Sequence, residues 1–249
     1  ARRAAAEICR LVDGFPLGIE LAAAAAASQG APAVAEGIAA SLGSLVSDYV
    51  NIPERQRGLQ ASFDYSWNLL PPDLQTHLAR LAVFRGGFDA TAAAEICGVG
   101  AQSLASLADA SLLTASEGRW DIHALNREFV SARLAAIGEE AGETAVKHAR
   151  YYADLLAAQR YEIGSSRHLP AVARIQTEIE NIRAAWQTLV EREMGVELLN
   201  CTDALARFYD SSAWFGEALE VFGRAAVAVN TPEFSMARAA VLNRLGLFA

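Results

Sequence analysis

The sequence predicts a mainly α fold: a piece of helical bundle, then a winged helix with a small β-hairpin, then a series of α-α hairpins. Three observations carry this. Apolar residues recur at helical spacing through nearly the whole chain. Only one stretch, around Ser116-Glu117-Gly118, alternates with the period of a strand. The composition is 53% hydrophobic, much of it alanine, the strongest helix former.

The first helix covers residues 1–12 and turns Ile8, Leu11 and Val12 to one side. Gly14 can end it, and Pro16 can open the next, because the first turn of a helix needs no amide donor from proline. Residues 17–28 are strongly helical. Gly30-Ala31-Pro32 breaks that helix, and Ala33 to Leu45 makes a third. Residues 47–56 read as a connector containing Asn51 and Pro53.

Leu59, Phe63, Trp67 and Leu70 form the next apolar face, stopped by Pro71 and Pro72. Pro72 and Asp73 suit the start of a helix with Leu74, Leu78, Leu81 and Ala82 inward, ended by Gly86-Gly87. Asp89 is a predicted N-cap and Gly98 a predicted C-terminal stop for a short helix. Leu104, Leu107 and Ala108 mark another. Leu112 to Ala115 and Arg119 to His123 read as the two strands, and Leu125, Phe129 and Ala132 begin the helix after them. Three helices, two strands and a helix, in that order, make a winged-helix order.

Gly138 to Gly142 reads as a second connector. Beyond it, Ile175, Ile179, Ile182, Trp186 and Leu189 form one long apolar stripe. Residues 196–209 and 212–229 look like the arms of a hairpin. Leu205, Ala206, Tyr209, Ala218, Phe222 and Ala225 fit the small-and-aromatic pattern of a tetratricopeptide unit. Asn230-Thr231-Pro232 breaks the chain before a last helix. That helix carries Leu242, Leu245 and Phe248 with no second arm, so the C-terminus reads as a truncation and its apolar stripe as a surface for self-association. The division is 1–50, 51–138 and 139–249.

Composition excludes several functions. No apolar run has the length and bulk of a membrane span, and no signal peptide stands at the N-terminus. Cys9, Cys97 and Cys201 are odd in number and far apart, which points to buried thiols in a reducing cytoplasm, with neither a disulfide frame nor a metal site. His77, His123, His148 and His168 are scattered and show no zinc spacing. There is no GxxxxGK[ST] loop, and the one lysine, Lys147, is far from any glycine-rich turn. No catalytic residue is identified, and the chain reads as a non-enzyme.

The net charge is −8. The third helix of a helix-turn-helix enters the major groove, yet residues 86–118 contain no Arg, Lys or His. Phosphate contacts dominate nucleic-acid affinity and need cations, so no direct nucleic-acid binding by this chain is expected. A DNA-binding winged-helix protein and a repeat scaffold for protein partners stand as alternatives.

Three segments together resemble the STAND class of signal-transduction NTPases, related to the NB-ARC proteins. They are Gly14-Phe15-Pro16-Leu17-Gly18-Ile19-Glu20-Leu21-Ala22, Ala61-Ser62-Phe63-Asp64-Tyr65-Ser66-Trp67-Asn68-Leu69-Leu70 and Leu81-Ala82-Val83-Phe84-Arg85-Gly86-Gly87-Phe88. The nearest likeness is to bacterial transcriptional regulators of the large LuxR-like and antibiotic-regulatory-protein type. The resemblance covers roughly residues 1–190. It implies that 1–50 is part of the helical subdomain of a nucleotide switch, and that 139–249 is a tetratricopeptide-like sensor of a protein or small-molecule inducer. It implies a nucleotide-binding core elsewhere in the parent chain, with ATP or ADP as its cofactor and none in this portion. By the same resemblance Gly14 and Pro16 match the GxP motif that lies against the nucleotide. His123, in Ile122-His123-Ala124, sits where the family has Met-His-Asp and contacts phosphate through the histidine; here the Asp is replaced by Ala124. His123 as a plain strand-to-helix junction residue is the other reading.

Overall fold

In the computed structural model the backbone is described for residues 2–12, 14, 16–48, 54–122, 124–136, 138–228 and 235–248, and the side chains for all of these except 17, 41–60, 124, 125, 128, 136 and 139. The fold is mainly α, with one two-stranded antiparallel sheet among the described residues. The chain forms two compact units. One comprises residues 1–82 and 89–137, the other residues 83–88 and 138–249.

The first unit opens with α1 (Arg2–Leu11), α2 (Pro16–Gln29), α3 (Ala31–Asp48) and α4 (Glu54–Leu69). Their shared core holds Ile8, Val12, Ala22, Ala25, Val34, Ala35, Ile38 and Ala61. Gly14 closes α1 in the left-handed region (φ 68°), its amide on the Cys9 carbonyl at 2.7 Å. Gly30 (φ 85°) turns the chain from α2 to α3. The third helix starts at Ala31, two residues before the predicted Ala33, because Pro32 in a first turn has no intrahelical bond to lose. Phe63 is fully buried and stacks on Phe129; Leu59 of the predicted face lies outside the described side chains.

Helices α5 (Pro72–Leu81), α6 (Ala90–Cys97) and α7 (Ala101–Asp109) follow, then β1 (Thr114–Ser116), β2 (Arg119–Asp121) and α8 (Ala124–Ala136). The predicted caps are present. Asp89 accepts from the Ala92 amide at 2.7 Å, and Gly98 ends α6 at φ 69°. Leu104 and Leu107 are fully buried. β1 pairs with β2 through Thr114 and Asp121, Ala115 and Trp120, and Ser116 and Arg119. The first strand begins later than predicted because the Leu112 and Leu113 amides both bond the Leu107 carbonyl and so finish α7.

Gly86-Gly87 does not end α5. That helix stops at Leu81, with Ala82 as its cap, and neither glycine has a positive φ. Residues 83–88 instead leave as a short strap that belongs to the second unit.

The second unit contains α9 (Glu139–Gln159), α10 (His168–Thr177), α11 (Ile179–Glu191), α12 (Gly195–Ser211), α13 (Phe215–Ala228) and α14 (Ser235–Phe248). The predicted connector at 138–142 shrinks to Gly138 (φ 58°), since α9 begins at Glu139. The predicted single stripe from Ile175 to Leu189 spans two helices: Glu178, at φ −102° and ψ 9°, breaks the path, and all five apolar residues are still buried. The hairpin of α12 and α13 falls where expected, with Leu205, Ala206, Tyr209, Ala218, Phe222 and Ala225 inside. On α14, Ala237 and Val241 are buried and Phe248 stacks on Phe222 at 6.0 Å, whereas Leu242 and Leu247 are exposed. The predicted stripe is thus split, because the aromatic ring finds a partner within the unit.

Candidate functional site

The second unit carries a cavity of about 840 Å³ among α11, α12, α13 and the strap. That is within the range of small-molecule sites. Its apolar side comes from Ile182, Trp186, Val190, Leu205, Val221 and Ala225. These positions recur at helical spacing, so one face of each helix supplies them. Trp186 meets Phe222 edge to face at 5.4 Å, which fixes its ring.

The polar side is built around Arg183. Its Nε donates to Glu217 Oε1 and its Nη2 to Glu217 Oε2, both at 2.6 Å, a bidentate pair joining α11 to α13. Its Nη1 donates to Glu180 one turn earlier. The Tyr209 hydroxyl donates to Glu217 Oε1 at 3.0 Å, and the guanidinium lies 5.5 Å from the Trp214 ring centre. Hydrogen bonding by Arg183 holds the Glu217 carboxyl below the usual carboxylate range, and the Glu217 bond raises Arg183 further. Burial pushes the Tyr209 hydroxyl up, so it stays protonated as a donor. Arg85, Glu191 and the Glu220–Arg224 pair complete the cavity wall.

A second charged node lies behind the hairpin. Asp203, on α12, is paired with Arg160 just after α9, Arg207 on α12 and Arg244 on α14. Burial raises the Asp203 carboxyl, and these guanidinium groups outweigh it, so the net shift is downward. In this node three guanidinium groups share one carboxylate within the unit.

The residues picked from sequence are only partly placed. Gly14 and Pro16 are both exposed at the turn between α1 and α2, where Pro16 is the first residue of its helix. His123 lies outside the described residues. The structure does join two of the three segments behind the resemblance: the Ser62 hydroxyl donates to the Gly18 carbonyl at 3.3 Å. Arg183, Glu217 and Asn181 were missed by sequence reasoning. Charged residues on a helix usually face solvent, and nothing local marks which of them will pair across a groove.

Cys97 and Cys201 are buried, and burial pushes the Cys201 thiol up to about 12, which keeps it unreactive. The expectation of a buried Cys9 fails: it is exposed, one position beyond the inward-facing Ile8. Among the described residues no three His, Cys, Asp or Glu side chains converge as a metal site, and no helix is long and apolar enough to cross a membrane.

Relatives from Mycobacterium tuberculosis and Mycobacterium bovis, provisionally named HTH-type transcriptional regulators, are 33% identical over 96% of this chain. The chain spans 29% of the length of these relatives. No protein-family model matches it, and no solved structure matches it.

Proposed function

We propose that this chain is the regulatory portion of an ATP-dependent transcriptional regulator of the STAND type. The alignment of 96% of this chain with proteins named as transcriptional regulators supports the regulator part of the reading, and the three-segment resemblance supports the STAND part. In it, the α1–α8 unit folds against a nucleotide-binding core, and Gly14, Pro16 and His123 face ATP or ADP. The α9–α14 unit acts as a tetratricopeptide-like sensor, and the cavity around Arg183 is its inducer site. Nucleotide hydrolysis, if the parent performs it, belongs to that core, and the protein works in the cytoplasm.

Two features support a regulatory over a DNA-reading role. The α7 helix has no cationic residue, and Arg127, on α8, has its charge taken up by Asp121 at 2.6 Å. The second unit, by contrast, holds a formed cavity with fixed polar groups. The word HTH in the relatives' names fits a DNA-binding segment in the part of those proteins that this chain does not span.

The test is made in the full-length parent. Replacing His123 or Pro16 by Ala should speed ADP release and raise basal output. Unchanged ADP retention with unchanged output would leave both residues as ordinary junction residues.

A further inference from the structure

Residues 83–88 are unusual in their path. They leave the first unit after α5 and return to it at α6, yet they are packed into the second unit. Phe84 and Phe88 are fully buried and stack at 4.2 Å, and Phe84 meets the buried His148 ring edge to face at 5.6 Å. Between the two phenylalanines the backbone is held by one side chain. Asn181 Oδ1 accepts from the Arg85 amide at 2.9 Å and the Gly86 amide at 3.4 Å. Asn181 Nδ2 donates to the Gly87 carbonyl at 3.1 Å. The same Nδ2 also donates to Glu178, which in turn accepts from the Tyr152 hydroxyl at 3.3 Å.

A buried asparagine normally satisfies itself on its own element or a neighbouring helix. Here its amide group makes three bonds to a non-helical strap 94 to 96 positions earlier in the chain. Asn181 also lies between Glu180 and Ile182 on α11, both of which line the cavity, as does Arg85 on the strap itself. The strap and the cavity therefore share a wall.

We propose that Val83–Phe88 is a conformational clip: Asn181 holds it in the second unit, and release of the clip loosens the two helices that flank it, the end of α5 and the start of α6. The clip gives the α9–α14 unit a physical hold on the α5–α7 region. This does not depend on nucleotide binding or on the identity of any inducer. The segment is well suited to the role, since three hydrogen bonds to one amide group form or break together.

Hydrogen exchange on the whole chain tests this. In Asn181→Ala the Arg85 and Gly86 amides should exchange at least tenfold faster. The rise should extend to the last turn of α5 and the first turn of α6, with α12 and α13 unchanged. Trypsin should also cut after Arg85 faster. Asn181→Asp keeps the acceptor oxygen and should fall between wild type and Ala, which provides a milder variant if Asn181→Ala folds poorly. Faster exchange confined to 85–87 would overturn the proposal, leaving the strap a passive loop. So would a uniform rise across α9–α14, which would make Asn181 a core residue only.

Discussion

Ser62 on α4 donates its hydroxyl to the Gly18 carbonyl on α2, 3.3 Å away and 44 positions earlier in the chain. Gly18 is itself closely approached by Val12, just after the end of α1. A Cβ at Gly18 would stand 2.8 Å from the Cβ of Val12, which is fully buried.

Gly18→Ala should therefore destabilise the first unit by about 1–3 kcal/mol, the usual cost of overpacking. Adding Val12→Ala should recover little of that loss, because alanine keeps the Val12 Cβ, the atom nearest the clash. Urea unfolding of the two variants measures this. A neutral Gly18→Ala would mean that α1 shifts freely over α2.

The Arg183–Glu217 pair should contribute modestly to holding α11 to α13. Its side chains are 34% and 29% exposed, so solvent screening reduces the gain. A double-mutant cycle with Arg183→Ala and Glu217→Ala should give a coupling of about 1 kcal/mol. Glu217 has a lowered folded pKa. Its share of stability is thus full above the ordinary carboxylate value of 4.5 and disappears as pH falls through the lower folded value. The stability difference between wild type and Glu217→Gln should narrow in acid. A difference that widens would show the pair acting some other way.

His148 predicts a second window of acid lability, at higher pH than that of Glu217. Burial among Phe84 and Tyr152 lowers it from 6.5 to about 4. The unfolded chain then binds the proton first, so stability falls as pH drops from about 6.5 towards 4. The full loss is on the order of 3 kcal/mol at one proton over that window. His148→Phe should flatten the pH dependence of the melting temperature between pH 7 and pH 5. An unaltered slope would assign the lability to other groups.

Random duplex DNA should not bind the full chain with a salt-sensitive shift at physiological ionic strength. The positions that would meet phosphate on α7 carry no cation. Binding that is abolished by Arg119→Ala or Arg127→Ala would show that the hairpin and α8 read DNA after all.

Local chemistry by itself determined most of the helices, the α6 caps and the hairpin found among the described residues. Asp89 and Gly98 could be assigned from residue type alone because a cap is settled within four residues. Helical period marked Leu104, Leu107, Phe222 and Ala225 as core for the same reason. Boundaries were less legible where a backbone group chose a nonlocal partner or a neighbouring turn: Leu112 and Leu113 finished a helix, and Gly86-Gly87 entered a strap. Only the tertiary structure decided which charges face one another. Arg183 finds Glu217, Asp203 gathers Arg160, Arg207 and Arg244, and Asn181 reaches back to the Arg85 amide across 96 positions. Such pairs depend on how two helices are placed in space, and no period within either helix carries that information.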